Sequence, residues 1–122
     1  MSQTRFAALL VLAGTAATAL PAQAASKYDG QWSVEVVTER GDCDRAYRYG
    51  IVIEDGQARY AAGRDFQING RVQPNGAVRG SIARGSDRAE VVGRLTERGG
   101  RGTWTAAGGR SCGGRWNAER RG

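Results

Sequence analysis

From Gln31 onward the chain is written in short alternating runs, each closed by a turn signal, and no stretch of ten residues keeps the apolar spacing that a helix requires. Few folds suit such a chain. Its apolar side chains collect on one face of a sheet, and the sheet must then bury that face against itself. The runs predict eight strands, at 31–38, 46–54, 57–61, 66–73, 77–84, 88–96, 102–106 and 114–120.

Directly opposed residues in a hairpin share a face, so the turns test the pattern. A two-residue Asp55-Gly56 turn sets Ile53 against Ala58 and Ile51 against Tyr60. A Pro74-Asn75-Gly76 loop, ending in a left-handed glycine, sets Val72 against Val78 and Gly70 against Gly80. Gly85-Ser86 suits a type II′ turn and sets Ile82 against Ala89. A turn at Gly99-Gly100 would set Leu95 against Trp104. All four keep apolar residues on one side.

The predicted inner face carries Trp32, Val34, Val36, Tyr47, Tyr49, Ile51, Ile53, Tyr60, Phe66, Ile68, Val72, Val78, Ile82, Val91, Leu95, Trp104 and Trp116. Among these, Trp32, Tyr47, Tyr49, Tyr60, Trp104 and Trp116 are the candidate lining of a lumen. Gly70, Gly80, Gly93, Gly102 and Gly114 fall on the same parity, where a missing side chain lets an opposing ring lie against the wall or a strand bend.

Two cysteines, Cys43 and Cys112, stand in the first and last of the loops that share one end of an eight-strand meander. A disulfide between them brings the last strand round to the first. It therefore favours a small antiparallel up-and-down barrel, all-β and closed, with a two-sheet sandwich as the alternative. Membrane barrels need an apolar outer band. Here Arg48, Arg59, Arg71, Arg79, Arg94 and Arg115 take the outer parity, so no membrane span is expected.

A disulfide also fits the expected compartment. Residues 1–24 read as a secretory signal peptide: Arg5, an apolar run from Phe6 to Ala13, and Ala22-Gln23-Ala24 as a small-residue cleavage site. Residues 25–122 form the single predicted domain, exported to the periplasm or beyond the cell. Only 14 of those 98 residues are Leu, Ile, Val or Phe, few enough that composition alone does not promise a fold. The promise rests on placement.

The domain carries 16 Arg, a single Lys, 12 acids and no His. Without His there is no ordinary neutral-pH general base, and paired cysteines leave no thiolate. No nucleophile elbow, phosphate loop or zinc-ligand spacing occurs. No enzymatic activity, no metal site and no resident cofactor are therefore expected. Binding is the expected work. Arg71, Arg79 and Arg94 on the outer face form one candidate anion-binding patch, since a guanidinium grips sulfate, phosphate or carboxylate with two donors. Arg45, Arg64, Arg84, Arg88 and Arg110, interleaved with Asp42, Asp44, Asp65 and Asp87, form a candidate binding rim whose mixed signs suit a protein partner.

The segments Tyr28-Asp-Gly-Gln-Trp32-Ser-Val34, Gly41-Asp-Cys43-Asp-Arg-Ala-Tyr47-Arg-Tyr49, Gly102-Thr-Trp104 and Cys112-Gly-Gly-Arg-Trp116-Asn-Ala-Glu-Arg120 resemble a family of small exported Gram-negative proteins labelled as large exoproteins involved in haem utilisation or adhesion. That resemblance implies haem as a ligand, with Tyr47, Tyr49 or Tyr60 able to ligate iron, or an adhesive role. Gly30-Gln-Trp32 followed by Cys43 is also similar to the opening of the periplasmic eight-stranded inhibitors of secreted metalloproteases, in which an N-terminal arm enters the protease cleft. Three functions follow as expectations. The first is a secreted non-enzymatic binding or adhesion module that contacts an anionic polysaccharide, another surface polymer or a protein, with nucleic acid not expected. The others are a carrier of haem or another small ligand and a secreted-protease inhibitor.

Overall fold

Alternation and turn chemistry together produce eight antiparallel strands in chain order: β1 (Gly30–Arg40), β2 (Ala46–Glu54), β3 (Gln57–Tyr60), β4 (Gln67–Val72), β5 (Ala77–Arg84), β6 (Asp87–Leu95), β7 (Gly99–Ala107) and β8 (Gly113–Arg120). The computed structural model describes residues 27–107 and 111–122. The proposed export segment and Arg110 lie outside the described residues. Each strand pairs with the next, and β8 pairs with β1 from Trp32 opposite Arg120 to Arg40 opposite Gly113, so the sheet is a closed barrel rather than a sandwich.

Three of the four predicted hairpins have the predicted register. Ile51 opposes Tyr60, Val72 opposes Val78 and Ile82 opposes Ala89. Asp55 and Gly56 both take positive φ, as a type I′ turn demands. The fourth is corrected. Leu95 opposes Gly100, and Trp104 opposes Val91 instead. The tight turn lies at Glu97-Arg98, closed by the Thr96 N–H on the Gly99 carbonyl at 2.7 Å. Gly99 and Gly100 belong to β7, because a Cβ at Gly100 would run into the Leu95 side chain. The turn lies two residues earlier and each partner moves by four, an even number, so faces are kept and the inner set survives.

Cys43 and Cys112 form a disulfide, with their Cα atoms 6.0 Å apart. It ties the β1–β2 loop to the segment before β8 at one end of the barrel. Inside, the core runs through Trp32, Val36, Tyr49, Ile51, Ile53, Val72, Leu95, Trp104 and Trp116. The inner glycines hold the indoles. Trp116 lies over Gly93 and Gly102, where a Cβ on Gly102 would sit 2.6 Å from its Nε1. That Nε1–H donates to the Val92 carbonyl at 3.0 Å, and Trp104 Nε1–H donates to the Val37 carbonyl at the same distance. Both of these indoles thus find a hydrogen-bond acceptor in the barrel wall itself.

Candidate functional site

The two ends of the barrel are built differently, and the difference makes a cup. At one end backbone bonds link the turns: Val72 N–H to Gly56 carbonyl, Leu95 N–H to Gly76 carbonyl, Arg120 N–H to Arg98 carbonyl, and Gln31 N–H to Gly122 carbonyl. The segment before β1 seals what remains. Tyr28 is 3% exposed and its hydroxyl donates to the Pro74 carbonyl at 3.5 Å. The Asp29 carboxylate accepts from the Asp55 and Gly56 N–H groups at 2.9 and 3.2 Å. Arg120 lies over the Trp32 ring at 5.2 Å and donates to the Lys27 and Asp29 carbonyls. Tyr28 and Asp29 are thus part of the barrel floor.

Above that floor lies a cavity of about 390 Å³. Its walls are Phe66 and the inward side chains of every strand, among them Trp32, Val34, Ile51, Ala58, Ile68, Val78, Ile82, Val91, Trp104 and Trp116. Volume and lining fall in the range of small-molecule pockets. An apolar chamber of this size holds water poorly, because water needs two to four polar partners and these walls offer few. The polar groups gather at the mouth: Asp42, Asp44, Arg84, Asp87 and Arg88.

At the mouth, aromatic rings take over from the hydrogen-bond ladder. The β3–β4 pairing stops after Ala58 opposite Gly70. Beyond it Tyr60 and Phe66 meet edge to face at 5.3 Å, Phe66 packs on Tyr49 at 4.9 Å, and Tyr47 stacks on Tyr49 at 5.9 Å. The Arg84 guanidinium lies over Phe66 at 5.3 Å. The Tyr47 hydroxyl donates to the Asp44 carboxylate. Of the six predicted lining aromatics, Trp32, Tyr47, Tyr49, Trp104 and Trp116 face the cavity, whereas Tyr60 packs against Tyr49 and Phe66 and is not part of the lining. Among the predicted rim arginines, Arg84 and Arg88 line the mouth, while Arg45 and Arg64 are exposed in the loops around it.

The phenols of Tyr47 and Tyr49 are held in their neutral form. Burial, reinforced by Tyr47 beside it and partly offset by Arg84, pushes Tyr49 from 10.0 up to about 12. Tyr47 is raised chiefly by its hydrogen bond to Asp44. The folded chain therefore binds the Tyr49 proton more tightly than the unfolded chain does. Its contribution to stability is complete below about pH 10 and is lost as pH climbs through 12. An ultraviolet titration should show one tyrosine ionising near pH 12, with unfolding over the same interval, and Tyr49→Phe should remove that component. Absence of a component near pH 12 would contradict it.

Sequence reasoning missed the Tyr28 floor and Arg101, which joins the outer arginines as described below. No protein-family model matches the sequence, and no curated protein or solved structure is similar to it.

Proposed function

We propose that the protein is a non-enzymatic carrier of a small apolar molecule, held in the barrel lumen and admitted through the end that the disulfide braces. One observation carries this reading: a predominantly apolar cavity of about 390 Å³, sealed by Tyr28 at one end and rimmed by polar groups at the other. A protein that binds only through its exterior needs no such chamber. The disulfide and the export segment read at 1–24 support work in the periplasm or outside the cell. Haem, which the sequence resemblance implies, would draw on a phenolate from Tyr47 or Tyr49, and the Asp44 hydrogen bond at the first and burial at the second oppose loss of that proton. An uncharged apolar ligand that needs no ligating group fits the lumen better.

Titration with 1-anilinonaphthalene-8-sulfonate, read by its own emission and by quenching of the lumen tryptophans, should saturate at one equivalent. Ala89 and Ala106 oppose each other on the inner wall. An Ala89→Phe ring would occupy the chamber and weaken the probe at least tenfold, about 1.4 kcal/mol, with the near-ultraviolet circular dichroism retained. Unsaturable adsorption, or binding indifferent to Ala89→Phe, overturns the reading. A one-equivalent Soret shift with haemin would assign the chamber to haem.

A further inference from the structure

Arginine is unevenly neutralised around the barrel wall. Arg48 lies 3.8 Å from Glu35, Arg59 2.6 Å from Glu54, Arg88 3.3 Å from Glu90 and Arg115 2.8 Å from Glu39. At the sealed end of β4 to β7 the pattern reverses. Arg71 stands directly opposite Arg79, and Arg94 directly opposite Arg101. Arg79 opposes Val92, two residues before Arg94, so the two pairs are diagonal neighbours. All four side chains are exposed, and none of them forms an ion pair among the described residues. Among the described residues Arg94 donates to the Asn75 carbonyl, at 3.1 Å.

Like charges placed directly opposite each other destabilise a sheet, and here the arrangement occurs twice side by side. An anion laid across the strands relieves both pairs at once. With strands about 4.8 Å apart, four arginines on four adjacent strands reach across roughly 14 Å, a span suited to a chain of regularly spaced charges rather than to one small ion. We propose that this wall is a docking surface for a linear acidic polysaccharide, gripped through its sulfate or carboxylate groups. The surface is independent of the lumen. Val92, 45% exposed between Arg79 and Thr103, is the one large apolar side chain exposed among the described residues, too little to enter a lipid layer. No aromatic ring is exposed on this wall to stack on a nucleic-acid base.

Position gives the docking a direction. Arg71 and Arg79 flank the loop between Val72 and Ala77, and Arg94 and Arg101 flank the turn between Leu95 and Gly99, both at the sealed end. A polymer bound there leaves the mouth of the barrel facing away and open.

The test compares two variants with the same loss of charge. One is R71Q/R79Q/R94Q/R101Q; the other, R48Q/R59Q/R115Q/R121Q, removes arginines that already have carboxylate partners, Arg121 through Glu119 at 3.8 Å. Binding to immobilised heparin and to polygalacturonate is measured across a sodium chloride series, beside vesicles of anionic phospholipid. The wild-type chain should bind the polysaccharides with a steep salt dependence. The first variant should lose at least tenfold in affinity with its melting temperature unchanged or raised, since like-charge repulsion is removed. The second should stay within about threefold of wild type. Equal losses in both variants would reduce the effect to net charge, and absence of polysaccharide binding would overturn the proposal. Tighter, Val92-dependent binding to the vesicles would overturn it in favour of a membrane surface.

Discussion

Replacing Cys43 and Cys112 together by alanine is expected to lower the stability of the barrel by about 4 kcal/mol. The bond joins residues 69 apart, so in the unfolded chain it closes a loop that spans most of the barrel sequence. Chain entropy makes so long a loop costly to close, and the chain-entropy estimate for a loop of this length is where the figure comes from. For a domain of about 100 residues this corresponds to a fall on the order of 20 °C in melting temperature. Urea unfolding of C43A/C112A and of the reduced wild-type chain should agree within error. A loss below about 1 kcal/mol would show that the β1–β8 ladder closes the barrel by itself. Function should suffer before folding does. The bridge braces the two loops that frame the mouth, and Cys43 faces the cavity, so at temperatures where the variant remains folded the probe should exchange faster.

Much of this architecture was legible because hairpin parity is a strict constraint. Turn residues such as Asp55-Gly56 and Asn75-Gly76 fix where each strand reverses, and the period of two then assigns every side chain to a face. The bounds of β2 and β5 follow directly, as does closure of the barrel from the positions of two cysteines. The error at Leu95 shows the limit of that reasoning. Gly99-Gly100 has the composition of a turn, yet a glycine is needed opposite Leu95 for a packing reason that only the folded pair expresses. Parity survived the error because a turn displaced by two residues leaves each side chain on its face.

The site was harder to read than the fold. Large aromatics on the inner parity state how much ring must be buried, but not whether the rings cross the lumen or lie along its wall. Trp104 and Trp116 lie along it, held there by hydrogen bonds to backbone carbonyls, and this leaves a chamber where a centrally stacked arrangement would have left a solid core. Tyr28 precedes the first strand and carries no pattern of its own, so its role as a floor depends on Pro74, 46 residues away. Arg101 went unassigned for a simpler reason. The misplaced Gly99-Gly100 turn kept it out of the strand that sets it opposite Arg94.

Trp116→Ala should be the most damaging single truncation, costing about 3–5 kcal/mol. The indole is 4% exposed and lies against Gly93 and Gly102, which have no side chains to move into its volume. Gly102→Ala probes the same contact from the wall. Its methyl would lie 2.6 Å from both the Gly93 Cα and the Trp116 Nε1, and would meet the Val92 carbonyl, so the strands must part or the ring must leave. Overpacking of this kind costs about 1–3 kcal/mol. In the double variant G102A/W116A the ring conflict is gone and only the backbone conflict remains. The combined loss should therefore fall short of the sum of the single losses by at least about 0.5 kcal/mol. Strict additivity in urea unfolding would mean that the ring does not rest on the glycine. The same truncation should enlarge the lumen, so that W116A, at a temperature where it remains folded, accepts a bulkier apolar probe than the wild-type barrel admits. The glycine floor would then set the size of the chamber as well as its stability, because it holds the indole flat against the wall.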